Sequence, residues 1–171
     1  MPVKTITKIV SQDYLMKQVK RLRSVGKTFC LVPGYFKIYT PSHVSVLDES
    51  TFLADVVVVA VVRSEISKTE FYPASHEGVH YVVCLSSEEE LIELALQISP
   101  EVMVFVYHPF RKSDRKIRFY YLDNIRKKVK DQTDQIKLVG LPFNGYDDFN
   151  QISNFIAGSY LTQEDMANFL F

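Results

Sequence analysis

The sequence predicts an α/β fold: a three-layer, Rossmann-like arrangement in which a five-stranded, mostly parallel sheet carries helices on both faces. Three observations predict it. The runs Thr28–Pro33 and Asp55–Val62 are apolar, and the second is β-branched and bare of charge after Asp55. Strands read that way when both faces of a parallel sheet are covered. Between the runs, Thr40-Pro41 opens a helix, because threonine caps well and proline at the first helical position has no N–H to leave unpaired. Beyond them strands and helices keep alternating, the pattern of parallel strands joined by crossovers. All 171 residues fit a single domain, with its core at about 8–157 and a helical tail at 159–171.

Taken in order, Ser11 caps a helix from about Gln12 to Ser24, with Leu15, Val19 and Leu22 as its apolar stripe and Gly26 as its stop. Lys17, Lys20, Arg21 and Arg23 lie off that stripe, on a solvated face. After the first strand Gly34 permits a turn, and the helix from about Pro41 to Leu53 sends Val44 and Leu47 to the core. The connection Arg63–Gly78 is polar, holds Pro73 and Gly78, and has little helical periodicity. Val79–Leu85 is the third strand. Ser87 with Glu90 makes a capping box for a helix through about Ile98, with Leu91, Leu94, Ala95 and Ile98 on one face. Val102–Tyr107 is the fourth strand. Ser113–Lys130 reads as a basic amphipathic helix carrying Ile117, Tyr121, Ile125 and Val129, and Ile136–Leu141 is the fifth strand. Two short helices follow, Phe149–Ala157 and one capped by Thr162 and Asp165 that ends in Phe169, Leu170 and Phe171.

Hydrophobic residues at 47% and charged residues at 23% place the chain among globular proteins. Lys and Arg total 20 against 20 Asp and Glu, a balance that argues against wholesale nucleic-acid or membrane binding. The longest uncharged apolar run, Val56–Val62, is too short to span a bilayer, and residues 1–12 lack the apolar stretch of a secretory signal. A cytoplasmic location is the expectation. Cys30 and Cys84 sit among Phe, Leu and Val inside strands and read as buried, reduced thiols. With no CxxC and no Cys/His cluster, no metal site is expected, and His76, His80 and His108 are scattered.

The stretch LVPGYFKIYTPSHVSVLDESTFLADVVVVAVVRSE resembles the opening of the cytidylyltransferase-like nucleotidyltransferases, nearest the heptose-phosphate adenylyltransferase and glycerol-phosphate cytidylyltransferase branch. That family's pattern TNGCFDxxHxGHxxxLxxAxxxGDxLxVAVxSD aligns on it without gaps. KIVSQDYLMKQVKRLRSVGKTF is similar to the segment before the domain in the heptose enzymes, and SSEEELIELALQISPEVMVF and IKLVGLPF resemble the family's later helix and strands. The resemblance implies a Rossmann-like nucleotidyltransferase fold and commonly a homodimer. It also implies transfer of a nucleotidyl group from ATP or CTP, with Mg²⁺, to a sugar or polyol phosphate. On it, Gly34, Tyr35, Phe36, Thr40, Ser42, His43 and Ser64 fall at nucleotide-binding positions, and His43 is the candidate catalytic residue. The family's paired histidines open a helix, where free N–H groups and the dipole already favour phosphate.

The chain departs from the family wherever phosphate is handled. The H-x-G-H motif falls on Thr40, Pro41, Ser42 and His43, so one histidine survives. Thr40 offers a hydroxyl but no positive charge, and Ser42 puts a side chain where the family leaves bare backbone. The family's loop asparagine and aspartate are Pro33 and Lys37 here, its later lysine is Phe105, and its S-T-T-like turn falls near Tyr146, Asp147, Asp148 and Phe149. Carboxylates there repel phosphate. Phosphoryl transfer depends on positioned cationic and donor groups, so these losses point to a scaffold kept without its catalysis.

His43 reads either as a surviving phosphate contact or as a helix-start histidine. Lys37 reads as replacement charge at the site mouth or as an exposed loop lysine. The basic residues of 111–130 suit a solvated helix face, or else an acidic partner surface or nucleic acid. Tyr35, Tyr39, Tyr107, Phe110 and Tyr146 are expected around the mouth, filling it or presenting a protein-docking surface, and the tail is expected to dock on its own domain or on a neighbour. The first reading is a non-catalytic protein-interaction or ligand-binding module. The alternatives are an active adenylyl- or cytidylyltransferase with His43 and Lys37 in altered roles, and a sensor that binds a nucleotide or sugar phosphate without turnover.

Overall fold

A computed structural model describes residues 3–63, 68–108 and 119–143. Its elements in chain order are α1 (Val3–Thr7), β1 (Ile9–Val10), α2 (Gln12–Arg23), β2 (Phe29–Gly34), α3 (Pro41–Ser50), β3 (Val56–Val62), α4 (Phe71–Ala74), β4 (Tyr81–Leu85), α5 (Glu88–Ile98), β5 (Val102–His108), β6 (Phe119–Tyr120), α6 (Asp123–Gln132) and β7 (Lys137–Pro142). The five expected strands are β2, β3, β4, β5 and β7, and all run parallel. Two short strands raise the sheet to seven: β1 runs parallel to β4 at one edge, and β6 runs antiparallel to β5. Neither was legible, because two residues held by non-local pairing carry no periodicity of their own.

Alternate side chains of β2, β3 and β5 go to opposite faces, and each face is covered. On one side Phe29, Leu31, Val58, Ala60, Met103 and Phe105 meet α2, α5 and α6 through Leu15, Leu91, Leu94, Ile98, Ile125 and Val129. On the other, Cys30, Val32, Val57, Val59, Val104 and Val106 meet α3 and α4 through Val46, Leu47 and Ala74. Continuous burial of β2 and β3 follows from this double cover.

The caps hold the helices where the sequence placed them. Ser11 Oγ accepts from the Tyr14 N–H, and Ser87 Oγ from the Glu90 N–H. Glu101 joins three elements: its carboxylate accepts from Arg23 Nη1 at 2.8 Å and from the Phe29 N–H at 2.6 Å, while Arg23 Nη2 also donates to the carbonyls of Ile98 and Ser99.

Several expectations are corrected. Helix α3 buries His43, Val46, Leu47 and Ser50, so Val44 faces outward; the stripe begins on the histidine, one position earlier than its apolar residues suggested. The turn after β2 rests on Phe36, whose φ is +50°, and not on Gly34, which stays in register with Val61. Left-handed backbone costs a non-glycine residue about 1–2 kcal/mol, and complete burial of the Phe36 ring offsets it. Within 113–130, only Asp123–Gln132 is helical among the described residues; Phe119 and Tyr120 pair with β5, and Tyr121 follows as strand-end packing. The polar connection after β3 holds the short α4. Cys30 is buried, but Cys84 is only partly buried. The expected helices at 149–157 and 162–171 lie outside the described residues. Among the described residues no helix is long and apolar enough to cross a membrane.

Candidate functional site

Strand order makes the site. β3 and β4 extend the sheet to one side of β2, and β5 and β7 to the other, so the order reverses between β2 and β5. In open α/β sheets that reversal, at the carboxyl ends of the strands, is where a ligand crevice forms. β2 stays paired with β5 only at Cys30–Val102 and Leu31–Met103. β7 takes the opposite edge of β5, so β6, which meets Tyr107 and His108, lies on the edge that β2 has left. The crevice therefore has an inserted strand at its wall. The Tyr121 N–H donates to the Val106 carbonyl, and the Phe143 N–H to the Tyr107 carbonyl, each at 2.9 Å.

These two backbone bonds carry rings into the crevice. The His43 ring, 0% exposed, meets Phe143 edge-on at 4.8 Å between centroids, with Phe36 and Tyr39 each at 5.4 Å. Phe143 is also 0% exposed and meets Tyr121 edge-on at 5.6 Å, and Tyr39 stacks outward on Tyr72. Burial pushes the hydroxyls of Tyr39 and Tyr121 up to about 12, so both rings are neutral. Three rings are thus packed on His43, at the place where the resemblance expects a triphosphate.

The histidine has work of its own. His43 Nδ1 lies 3.0 Å from the Thr40 main-chain nitrogen, which donates to it, and 3.0 Å from Thr40 Oγ1. His43 is the third residue of α3, and a capping box returns a glutamate or glutamine side chain from that position to the N-cap N–H. Histidine performs that closure here, inside a buried corner. A ring accepting at Nδ1 is not doubly protonated.

The remaining predicted residues disperse. Gly34 ends β2, buried beside Val61. Tyr35 points to the other face, where its hydroxyl donates to Glu88 Oε1 at 2.6 Å; burial, then the Glu88 hydrogen bond, raise its pKa well above the usual tyrosine range. Lys37 is exposed, with Nζ 5.6 Å from the centre of the Tyr35 ring, on the Tyr35 side of the loop and not on His43. Ser42 is half-buried and Thr40 is buried. Tyr107 pairs edge-on with Tyr120, away from the His43 cluster. Ser64, Phe110 and Tyr146 lie outside the described residues.

Phe143 and Tyr121 were missed as crevice residues. The only signal was positional: Phe143 follows the fifth strand, at its carboxyl end, where a parallel sheet keeps its ligands. Among the described residues, no group of three or more His, Cys, Asp or Glu is placed to hold a metal ion.

No protein-family model matches the chain. No curated protein matches it either. Among solved structures, it is similar to the crystal structure of the lipopolysaccharide core biosynthesis protein from Thermoplasma volcanium GSS1, at 18% identity and a TM-score of 0.49, over 69% of this chain and 98% of that one. What this chain shows in its own right is a Rossmann-like α/β sheet whose switch-point crevice is packed with aromatic side chains.

Proposed function

We propose that this protein is a degenerate, nucleotidyltransferase-like module that works by binding and not by turnover. One observation carries the reading: His43, the surviving residue of the motif, is completely buried, closes the cap of α3, and is packed by Phe36, Tyr39 and Phe143. A histidine that stabilises a transferring phosphate must face that phosphate from a cavity that admits it, with cationic help. This histidine faces rings. Lys37, the candidate replacement charge, stands over Tyr35 on the far side of the loop.

The reading is tested by incubating the protein with ATP or CTP, Mg²⁺ and a panel of sugar and polyol phosphates and assaying pyrophosphate. The expected result is no release above the protein-free control. Release that disappears in His43→Ala while the fold persists would establish the alternative, an active adenylyl- or cytidylyltransferase.

A further inference from the structure

We propose that a second cleft, lined by no residue of the His43 cluster, binds a small organic ligand through a primary ammonium group held by Glu70. It goes beyond the proposed function, because no residue of the His43 cluster takes part. The cleft has a volume of about 560 Å³ and is lined by β1 and the start of α2 (Ile9 to Asp13), with Arg63, Glu70 and Cys84. That volume suits a small molecule.

Glu70 is the residue that asks for a ligand. It is more than nine-tenths buried, and its Oε1 lies 3.2 Å from Arg63 Nη1. Its other oxygen, Oε2, is buried and, among the described residues, accepts no hydrogen bond. A buried carboxylate oxygen without a donor is costly, and a donor arriving from the cleft removes that cost. Charge selects the kind of donor. Among the described residues, the charged side chains lining the cleft are Arg63, Asp13 and Glu70, which sum to one negative charge. Cys84 adds none, since burial and then Glu70 raise its thiol pKa.

A cation bearing N–H groups therefore fits. The first turn of α2 supplies the complement. Ser11 Oγ caps the Tyr14 N–H, and the Leu15 N–H bonds to the Ser11 carbonyl, whereas the N–H groups of Gln12 and Asp13 precede the helical ladder. They suit an oxygen carried on the same ligand, as in an amino alcohol.

The test is an amide NMR titration of the whole protein with ethanolamine, using tetramethylammonium, equal in charge but without N–H, as the control. Ethanolamine is expected to shift the amides of Ser11 to Asp13, Arg63, Glu70 and Cys84 saturably, and tetramethylammonium is not. Glu70→Gln is expected to weaken binding about tenfold or more, since a hydrogen bond to a charged group is lost. Gln12→Trp, which narrows the cleft while leaving the carboxylate intact, is expected to abolish the shifts and decides the matter if Glu70→Gln does not fold. Equal shifts from both cations, no localised shifts, or unchanged binding in the folded variants would overturn the proposal. None of these outcomes depends on whether nucleotide binds elsewhere.

Discussion

Replacing Phe143 by alanine probes whether the crevice is packed or merely occupied. Phe143 is 0% exposed and meets the rings of His43 and Tyr121 edge-on, at 4.8 and 5.6 Å. Truncating a fully buried phenylalanine costs about 3–5 kcal/mol, through the lost transfer free energy and the cavity left behind. Two edge-to-face contacts, worth about 0.5–1.5 kcal/mol each beyond area, place Phe143→Ala in the upper part of that range. For a chain of this size each kcal/mol moves Tm by about 2–4 °C, so the variant should melt about 8–20 °C lower. The assay is paired thermal and urea denaturation of wild type and variant, with Phe143→Leu as an intermediate step. A loss below about 1 kcal/mol would refute the reasoning, because only a mobile or solvated ring is that cheap to remove.

Two further perturbations bear on the same corner and on the sheet. His43→Ala leaves the Thr40 N–H buried without its acceptor, an expected loss of about 1–3 kcal/mol besides the cavity, whereas His43→Gln can restore the capping-box bond and should lose less in urea denaturation; equal losses would contradict the capping role. Asp55 Oδ2 accepts from the N–H and hydroxyl of Thr28, each at 2.9 Å, and those bonds, the main-chain one first, lower its pKa below 3.8. A carboxylate with a depressed folded-state pKa contributes stability that is present above pH 3.8 and lost as pH falls through the lower folded value. Stability measured from pH 6 downward should therefore decline less in Asp55→Asn than in wild type over that acid window; parallel curves would remove Asp55 from the acid response.

Local signals carried most of the scaffold. Val56–Val62 could be placed because a β-branched run without charge has few other homes, and Ser11 and Ser87 because a cap is a contact between near neighbours. The crevice was harder. Its contents depend on β6, a pair of residues in register with β5, and on Phe143, brought in by a bond to the Tyr107 carbonyl from a distant part of the chain. No period in the sequence encodes either. Val44 misled because an apolar residue near a helix start was counted toward the core, while the buried position belonged to a histidine. Gly34 misled in the same way: the left-handed residue is Phe36, tolerated because its ring is buried. The capping bond of His43 to Thr40 could not be distinguished from a phosphate contact by spacing alone, since both need a residue in the first turn of α3.

The central claim is that the switch-point crevice is filled by the protein's own rings. Its most direct test is a thermal-shift titration of the wild-type chain with ATP and CTP, each with and without Mg²⁺. The account predicts the same melting temperature at every nucleotide concentration. A saturable, Mg²⁺-dependent rise, approaching about 2.7 kcal/mol of stabilisation at a hundred times the dissociation constant, would contradict it.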